Sequence, residues 1–115
     1  MPESTAYKVL TADQMTALEK EGSFAGAPVD LADGYIHLST EAQLRETLDR
    51  HFAGQDGLWL AAVDLEVLGE VVKWEPSRGG QLFPHIYGPL PLDAVTAYSE
   101  LHYELDGSLR LPVTG

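Results

Sequence analysis

Leu58-Trp59-Leu60-Ala61-Ala62-Val63-Asp64 is the stretch whose reading decides the fold. A nearly unbroken apolar run of strand length predicts a central strand. The segments before it carry helical spacing and the segments after it carry strand spacing. That change of period predicts an α+β fold, with two helices in the N-terminal half packed on mostly antiparallel strands.

Upstream, Tyr7-Lys8-Val9-Leu10 is a short strand candidate. Thr11 and Gln14 form a capping-box pattern, in which each side chain satisfies a free backbone N–H at a helix start. Met15 and Leu18 supply an apolar stripe and Gly22 a stop, which predicts a helix over 12–21. Residues 23–34, with Gly26, Pro28 and Gly34, are expected to be loop. In Tyr35-Ile36-His37-Leu38-Ser39 the alternation puts Ile36 and Leu38 on one face and Tyr35, His37 and Ser39 on the other. Thr40 and Gln43 repeat the capping box and open a second helix through about Ala53, with Leu44, Leu48, His51 and Phe52 on its inner stripe.

Downstream, Glu70–Glu75 is a second strand candidate, with Val72 and Trp74 on one face. Residues 76–91 contain seven Gly or Pro in sixteen positions, which forbids a helix and limits any strand to the Phe83–Tyr87 piece. Ala94–Leu105 and Ser108–Leu111 flank Asp106-Gly107, a favoured hairpin turn.

The 115 residues suit a single domain, with its core expected over about 7–112. Hydrophobic residues make up 44%, too many for a disordered acidic chain. The absence of cysteine excludes disulfide scaffolds, thiolate metal sites and cysteine nucleophiles. Eighteen acids against seven Lys+Arg give a net charge of −11, which argues against nucleic acid or anionic lipid as partners. The polar, acidic N-terminus lacks the apolar stretch of a signal peptide, so a cytoplasmic location is expected. Oligomeric state is not encoded in any pattern seen here.

Four histidines are the first candidates for chemistry. His37 shares its face with Tyr35 and Ser39, a trio that either lines a cleft or forms the solvated side of a half-buried sheet. His51, on an apolar stripe, is expected to be a core histidine, and His102 a surface one. His85 follows Pro84 in the Gly/Pro-rich segment, where a rigid loop can present a polar group to a ligand or merely pack Phe83 and Tyr87. Trp74-Glu75-Pro76-Ser77-Arg78-Gly79-Gly80 is the third candidate. Arg78 is suited to a phosphate or carboxylate, and Gly79-Gly80 can expose backbone N–H groups; the plainer alternative is a Glu75–Arg78 salt bridge closing a turn. No HExxH, GxSxG or phosphate-loop pattern occurs, so metal and serine-nucleophile sites are not expected. Residues 76–92 carry no acid at all, a local opening for one small anionic ligand in an acidic chain.

Four blocks resemble the signatures of one small bacterial family, the domain of unknown function 952. They are Asp33-Gly34-Tyr35-Ile36-His37-Leu38-Ser39-Thr40, His51-Phe52, Trp74 through Gly80, and Phe83-Pro84-His85-Ile86-Tyr87-Gly88-Pro89-Leu90-Pro91, in that order along the chain. The resemblance covers Tyr7 to about Leu101. More remotely, it implies an ADP-ribosyltransferase-like fold of two small antiparallel sheets splayed around a nicotinamide dinucleotide. Ile36-His37-Leu38-Ser39-Thr40 is similar to the second motif of such enzymes, whereas Lys8 stands where the first strand usually carries His or Arg. The implied function is an enzyme or former enzyme acting on NAD or an ADP-ribosyl derivative, with NAD as substrate rather than resident cofactor. His37, Glu75 and His85 are then the candidate catalytic residues. Tyr35, Ser39, Thr40, Trp74, Arg78, Gly79, Phe83 and Tyr87 are the candidate ligand contacts. The alternative is a non-catalytic binding module for a small anionic metabolite or a protein partner.

Overall fold

Two three-stranded antiparallel sheets form the frame, and the apolar run of residues 58–64 supplies the middle strand of the first. The computed structural model describes residues 4–52, 54–76, 80–103 and 109–110. In the first sheet β4 (Trp59–Asp64) lies between β1 (Thr5–Leu10) and β8 (Val95–Glu100). Alternation along β4 explains its composition. Ala61 and Val63 join one buried cluster, Leu60 and Ala62 another, so both faces of the strand are covered. Helix α1 (Ala12–Glu21) brings Met15 and Leu18 to the first cluster. The later helix α3 (Glu41–His51) brings Leu44 and Leu48 to the second. The two expected helices thus sit in different cores, separated by the first sheet.

Both helices begin as their capping boxes dictate: Thr11 with Gln14, and Thr40 with Gln43, exchange side-chain and backbone hydrogen bonds. Gly22 ends α1 at φ +78°, its N–H donating to the Leu18 carbonyl. Residues 23–34, expected to be loop, instead hold β2 (Ser23–Phe24) and a six-residue helix, α2 (Pro28–Asp33). Pro28 at the first helical position is the physical reason α2 starts there, because its missing N–H would have no partner at a helix start anyway.

The second sheet has the order β3 (Ile36–His37), β6 (Leu82–Ile86), β5 (Val72–Pro76). Residues 69–71 form a 3-10 turn, so β5 starts later than the sequence suggests, after the short helix α4 (Leu65–Leu68). Val72 and Trp74 still face the first core cluster. The short strand expected at Phe83–Tyr87 is present as β6, and it is a middle strand although it contains Pro84. The Pro84 carbonyl faces the β3 side, accepting from the Leu38 N–H at 3.0 Å. The Pro84 nitrogen faces the same way and has no proton to return to Leu38, so the reciprocal bond cannot form and β3 ends at His37.

Beyond His37 the chain leaves the second sheet and touches the first. Tyr7 and Ser39 exchange two backbone hydrogen bonds, of 2.7 and 2.9 Å. β2 pairs with β7 (Leu90–Pro91), and β9 (His102–Tyr103) pairs with β10 (Leu109–Arg110). The expected turn at Asp106-Gly107 lies outside the described residues. Every strand pairing among the described residues is antiparallel, and the fold is α+β with helices packed on antiparallel sheets.

Candidate functional site

Register in the second sheet builds the site. His37 on β3 lies opposite His85 on β6, and His85 lies opposite Lys73 on β5. Side chains two residues apart share a face. Tyr35 and His37, then Phe83, His85 and Tyr87, then Glu75 therefore come to one side. Glu75 is opposite Phe83, so His85 is its diagonal neighbour, within reach of a long side chain. The Glu75 Oε1 accepts from His85 Nδ1 at 2.8 Å and from the Tyr87 hydroxyl at 2.8 Å. These two groups are its hydrogen-bond partners among the described residues; Arg78, the alternative partner suggested by the sequence, lies outside them.

Rings fill the space above this network. Tyr35 stacks on His85 with centroids 4.2 Å apart, and it also touches His37 and Tyr87 at 4.8 and 5.2 Å. The two imidazoles meet edge to face at 5.4 Å. This packing fixes both ring planes.

A second network lies beneath His37. Its Nδ1 contacts Asp30 Oδ1 at 2.6 Å, and its backbone N–H donates to the same oxygen at 3.1 Å. Lys8, on β1, reaches both Asp30 oxygens at 2.9 and 3.2 Å and the His37 carbonyl at 3.1 Å. The remaining capacity of Asp30 is taken by the Ala27 N–H at 2.7 Å, which caps α2 from within because Ala27 has no polar side chain. Gly26 permits this arrangement. It adopts φ +128°, and a Cβ there would stand 2.9 Å from the Asp30 Cβ. The other His37 nitrogen, Nε2, meets Asp33 Oδ2 at 2.9 Å.

Asp30 and Lys8 are both buried. Burial pushes the Asp30 carboxyl up, but hydrogen bonds from His37 and Lys8, together with the Lys8 charge, hold it well below the usual carboxylate range. Burial pushes the Lys8 ammonium down, and Asp30 pulls it partly back. Glu75 is held below its ordinary value by the hydrogen bonds from His85 and Tyr87. The same bond pushes the Tyr87 phenol up to about 12, because ionising it would place two negative charges together.

These residues face a cleft of about 540 Å³ that contains Lys8, Asp30, Asp33, His37, Ser39, Phe83 and His85 in its lining, with Thr47, His51 and Phe52 from the α3 side. Of the residues singled out from sequence, His37, Ser39, Phe83 and His85 line it. Glu75 reaches it only through His85, Tyr35 stacks on that histidine, and Tyr87 contacts the Tyr35 ring; none of the three is in the lining. Ser39 is buried, its hydroxyl bonded to Thr47 at 2.8 Å. Thr40 caps α3 and Trp74 packs on the core, and neither is part of the cleft lining. Arg78 and Gly79 lie outside the described residues.

His51 departs from expectation. It is exposed and lines the cleft, because the buried stripe of α3 ends with Leu48 and half-buried Phe52 takes the next inward position. His102 is exposed, as expected. Sequence reasoning missed Asp30 and Asp33 as site residues and gave Lys8 no role in the cleft. The available signal was a Gly-x-Pro-x-Asp run, which can be read as a helix start carrying an inward acid. Among the described residues no group of three or more His, Asp or Glu is placed to hold a metal ion. No described helix is long and apolar enough to cross a membrane.

Residues 9–98 match the sequence profile of DUF952, "Protein of unknown function". The chain belongs to the DUF952 family. Solved structures agree with the assignment. The X-ray structure of protein CC0527 from Caulobacter crescentus, a structural-genomics target, is 46% identical, with a TM-score of 0.87 over 92% of this chain and 93% of that one. The solution NMR structure of CC0527 is likewise 46% identical, with a TM-score of 0.81 over 92% and 91% of the two chains. A double mutant of CC0527 is similar at 44% identity and a TM-score of 0.86, again over 92% and 93%. No curated protein matches this chain. This chain thus places two carboxylate-bound histidines at one cleft.

Proposed function

We propose that the DUF952 cleft binds and acts on a nicotinamide dinucleotide or an ADP-ribosyl derivative, as an enzyme of ADP-ribosyltransferase type. The observation that carries this reading is the juxtaposition of His37 and His85 on paired strands, each with Nδ1 on a carboxylate, in a cleft of about 540 Å³. Small-molecule sites commonly enclose about 300–1,000 Å³, so a dinucleotide or its ribosyl half is a reasonable occupant. The likeness of Ile36-His37-Leu38-Ser39-Thr40 to the second transferase motif supports the choice of ligand class.

Each side chain has a task in that reading. Glu75 accepts from His85 Nδ1, which orients the ring and leaves Nε2 as its basic nitrogen. The reaction breaks the bond between the ribose anomeric carbon and the nicotinamide nitrogen. Nicotinamide leaves with the bonding pair, and positive charge develops on the sugar. The Glu75–His85 pair stabilises that charge, and His85 takes the proton of the attacking water or acceptor hydroxyl as the new carbon–oxygen bond forms. His37 and Ser39 hold the ribose, Tyr87 offers a flat ring for stacking, and Arg78 receives a phosphate.

The test combines melting curves with proton NMR. NAD or ADP-ribose at millimolar concentration is expected to raise the melting temperature, and Arg78→Ala to remove the shift. Nicotinamide release is expected from the native chain and not from His85→Gln. Unchanged melting with both ligands overturns the reading. Binding without release, even with water and alcohol acceptors present, favours a non-catalytic module for a small anionic metabolite.

A further inference from the structure

The two carboxylates on His37 are unequal. Asp30 is embedded, its side chain 1% exposed and bonded to Lys8 and Ala27 besides the imidazole. Asp33 is 45% exposed, sits on the last residue of α2, and has no other side-chain partner among the described residues. The imidazole between them is 32% exposed and lines the cleft, as Asp33 does. Each ring nitrogen thus lies within hydrogen-bond distance of a carboxylate oxygen, 2.6 Å at Nδ1 and 2.9 Å at Nε2, and Lys8 already pairs with the inner carboxylate.

Solvent-exposed ion pairs are weak, because water competes for both partners. The Nδ1 contact persists without Asp33, since Asp30 and the Tyr35 ring hold the imidazole independently. A carboxylate that is replaceable, half in water, and aimed at a cleft-facing N–H occupies the place where an incoming anionic oxygen would bind. We propose that His37 Nε2 is the oxyanion-recognition point of the cleft, and that Asp33 stands in for the ligand's phosphate or carboxylate until the ligand displaces it. The inference deepens the functional reading above: it rests on the cleft being a small-molecule site and not on the ligand being a ribosyl compound. It assigns to His37 an anionic oxygen of the ligand in place of the ribose contact given above, and it makes Asp33 a competitor that lowers the ligand's affinity.

The experiment uses the full chain labelled with ¹⁵N at histidine and titrated separately with pyrophosphate, malonate and NAD. Binding of pyrophosphate identifies a phosphate ligand, and binding of malonate a carboxylate. Asp33→Asn is expected to tighten binding of the preferred anion by roughly three- to fivefold, with the largest ¹⁵N shift at His37 Nε2. Asp33→Ala is expected to do the same, which separates loss of the charge from any new hydrogen bond made by asparagine. His37→Gln in the Asp33→Asn background is expected to erase the gain. Unchanged or weaker anion binding in both Asp33 variants overturns the proposal. The two readings fail differently. If NAD binds while neither anion moves His37 Nε2 in either variant, the oxyanion point is wrong and the cleft reading survives. If pyrophosphate moves Nε2 and NAD shifts neither melting nor spectra, the NAD reading is wrong and the oxyanion point survives.

Discussion

The two histidines of the cleft are held in opposite ways. His37 exposes about a third of its side chain and leans on a carboxylate that is almost wholly buried. His85 is itself buried, 3% exposed, and leans on a carboxylate that is 38% exposed. At His37 the acid belongs to the fold, since Asp30 ties β1, the start of α2 and β3 together. At His85 the ring belongs to the fold and the acid sits on the rim. The same pair of residue types therefore divides its duties differently. Removing the orienting acid is expected to cost much stability at His37 and little at His85.

The strongest way to break this comparison is Asp30→Ala, which strands the Lys8 ammonium in the interior. We expect a loss of about 3–5 kcal/mol, read by urea denaturation. Lys8→Met combined with Asp30→Leu is expected to recover much of it, because an apolar pair leaves no uncompensated charge. Next in size is Gly26→Ala. The new methyl meets the Asp30 Cβ, and the backbone conformation is one that alanine rarely adopts, so a loss of about 1–3 kcal/mol is expected in the same assay.

Acid sharpens the contrast further. The folded Asp30 carboxyl titrates below its ordinary value of 3.8, so the unfolded chain takes up the proton first as pH falls. The stabilisation is complete above the unfolded value and is lost as pH drops towards the folded one. Asp30→Asn is expected to flatten the decline of stability between neutral and strongly acidic pH. Smallest in its effect on stability is Glu75→Gln, which is expected to leave the denaturation midpoint nearly unchanged. Its signature is local: the Tyr87 phenol should return from about 12 towards its ordinary 10, followed by NMR of the tyrosine ring. A large loss of stability on Glu75→Gln, or none on Asp30→Ala, would break the division of duties.

What was legible in the sequence is what short-range physics encodes. The caps at Thr11 and Thr40 and the apolar run of β4 are local patterns, and they place α1, α3 and the first sheet. The alternation at 35–39 also holds, with Ile36 and Leu38 buried and His37 turned to the cleft. His37, His85 and Glu75, each singled out in the sequence, come together in the candidate site, but what holds His37 was not legible. Lys8 and Asp30 are 22 positions apart, and only the packing of α2 against β3 and β1 brings them together. Helix α2 itself is obscured because Ala27 cannot cap it, and the capping oxygen belongs to Asp30 inside the helix. His51 misled for the converse reason: it keeps helical spacing one step beyond the point where the core ends.

The exchange of hydrogen bonds between Tyr7 and Ser39 has a mechanical consequence. Tyr7 packs in the core beneath α3, and Ser39 lies two residues beyond His37, the last residue of β3. Any widening of the cleft that separates β3 from β1 has to stretch these two amide contacts, which makes them a latch. Their deuterium-exchange rates then report how often the cleft opens, and a ligand spanning both sheets would slow them together.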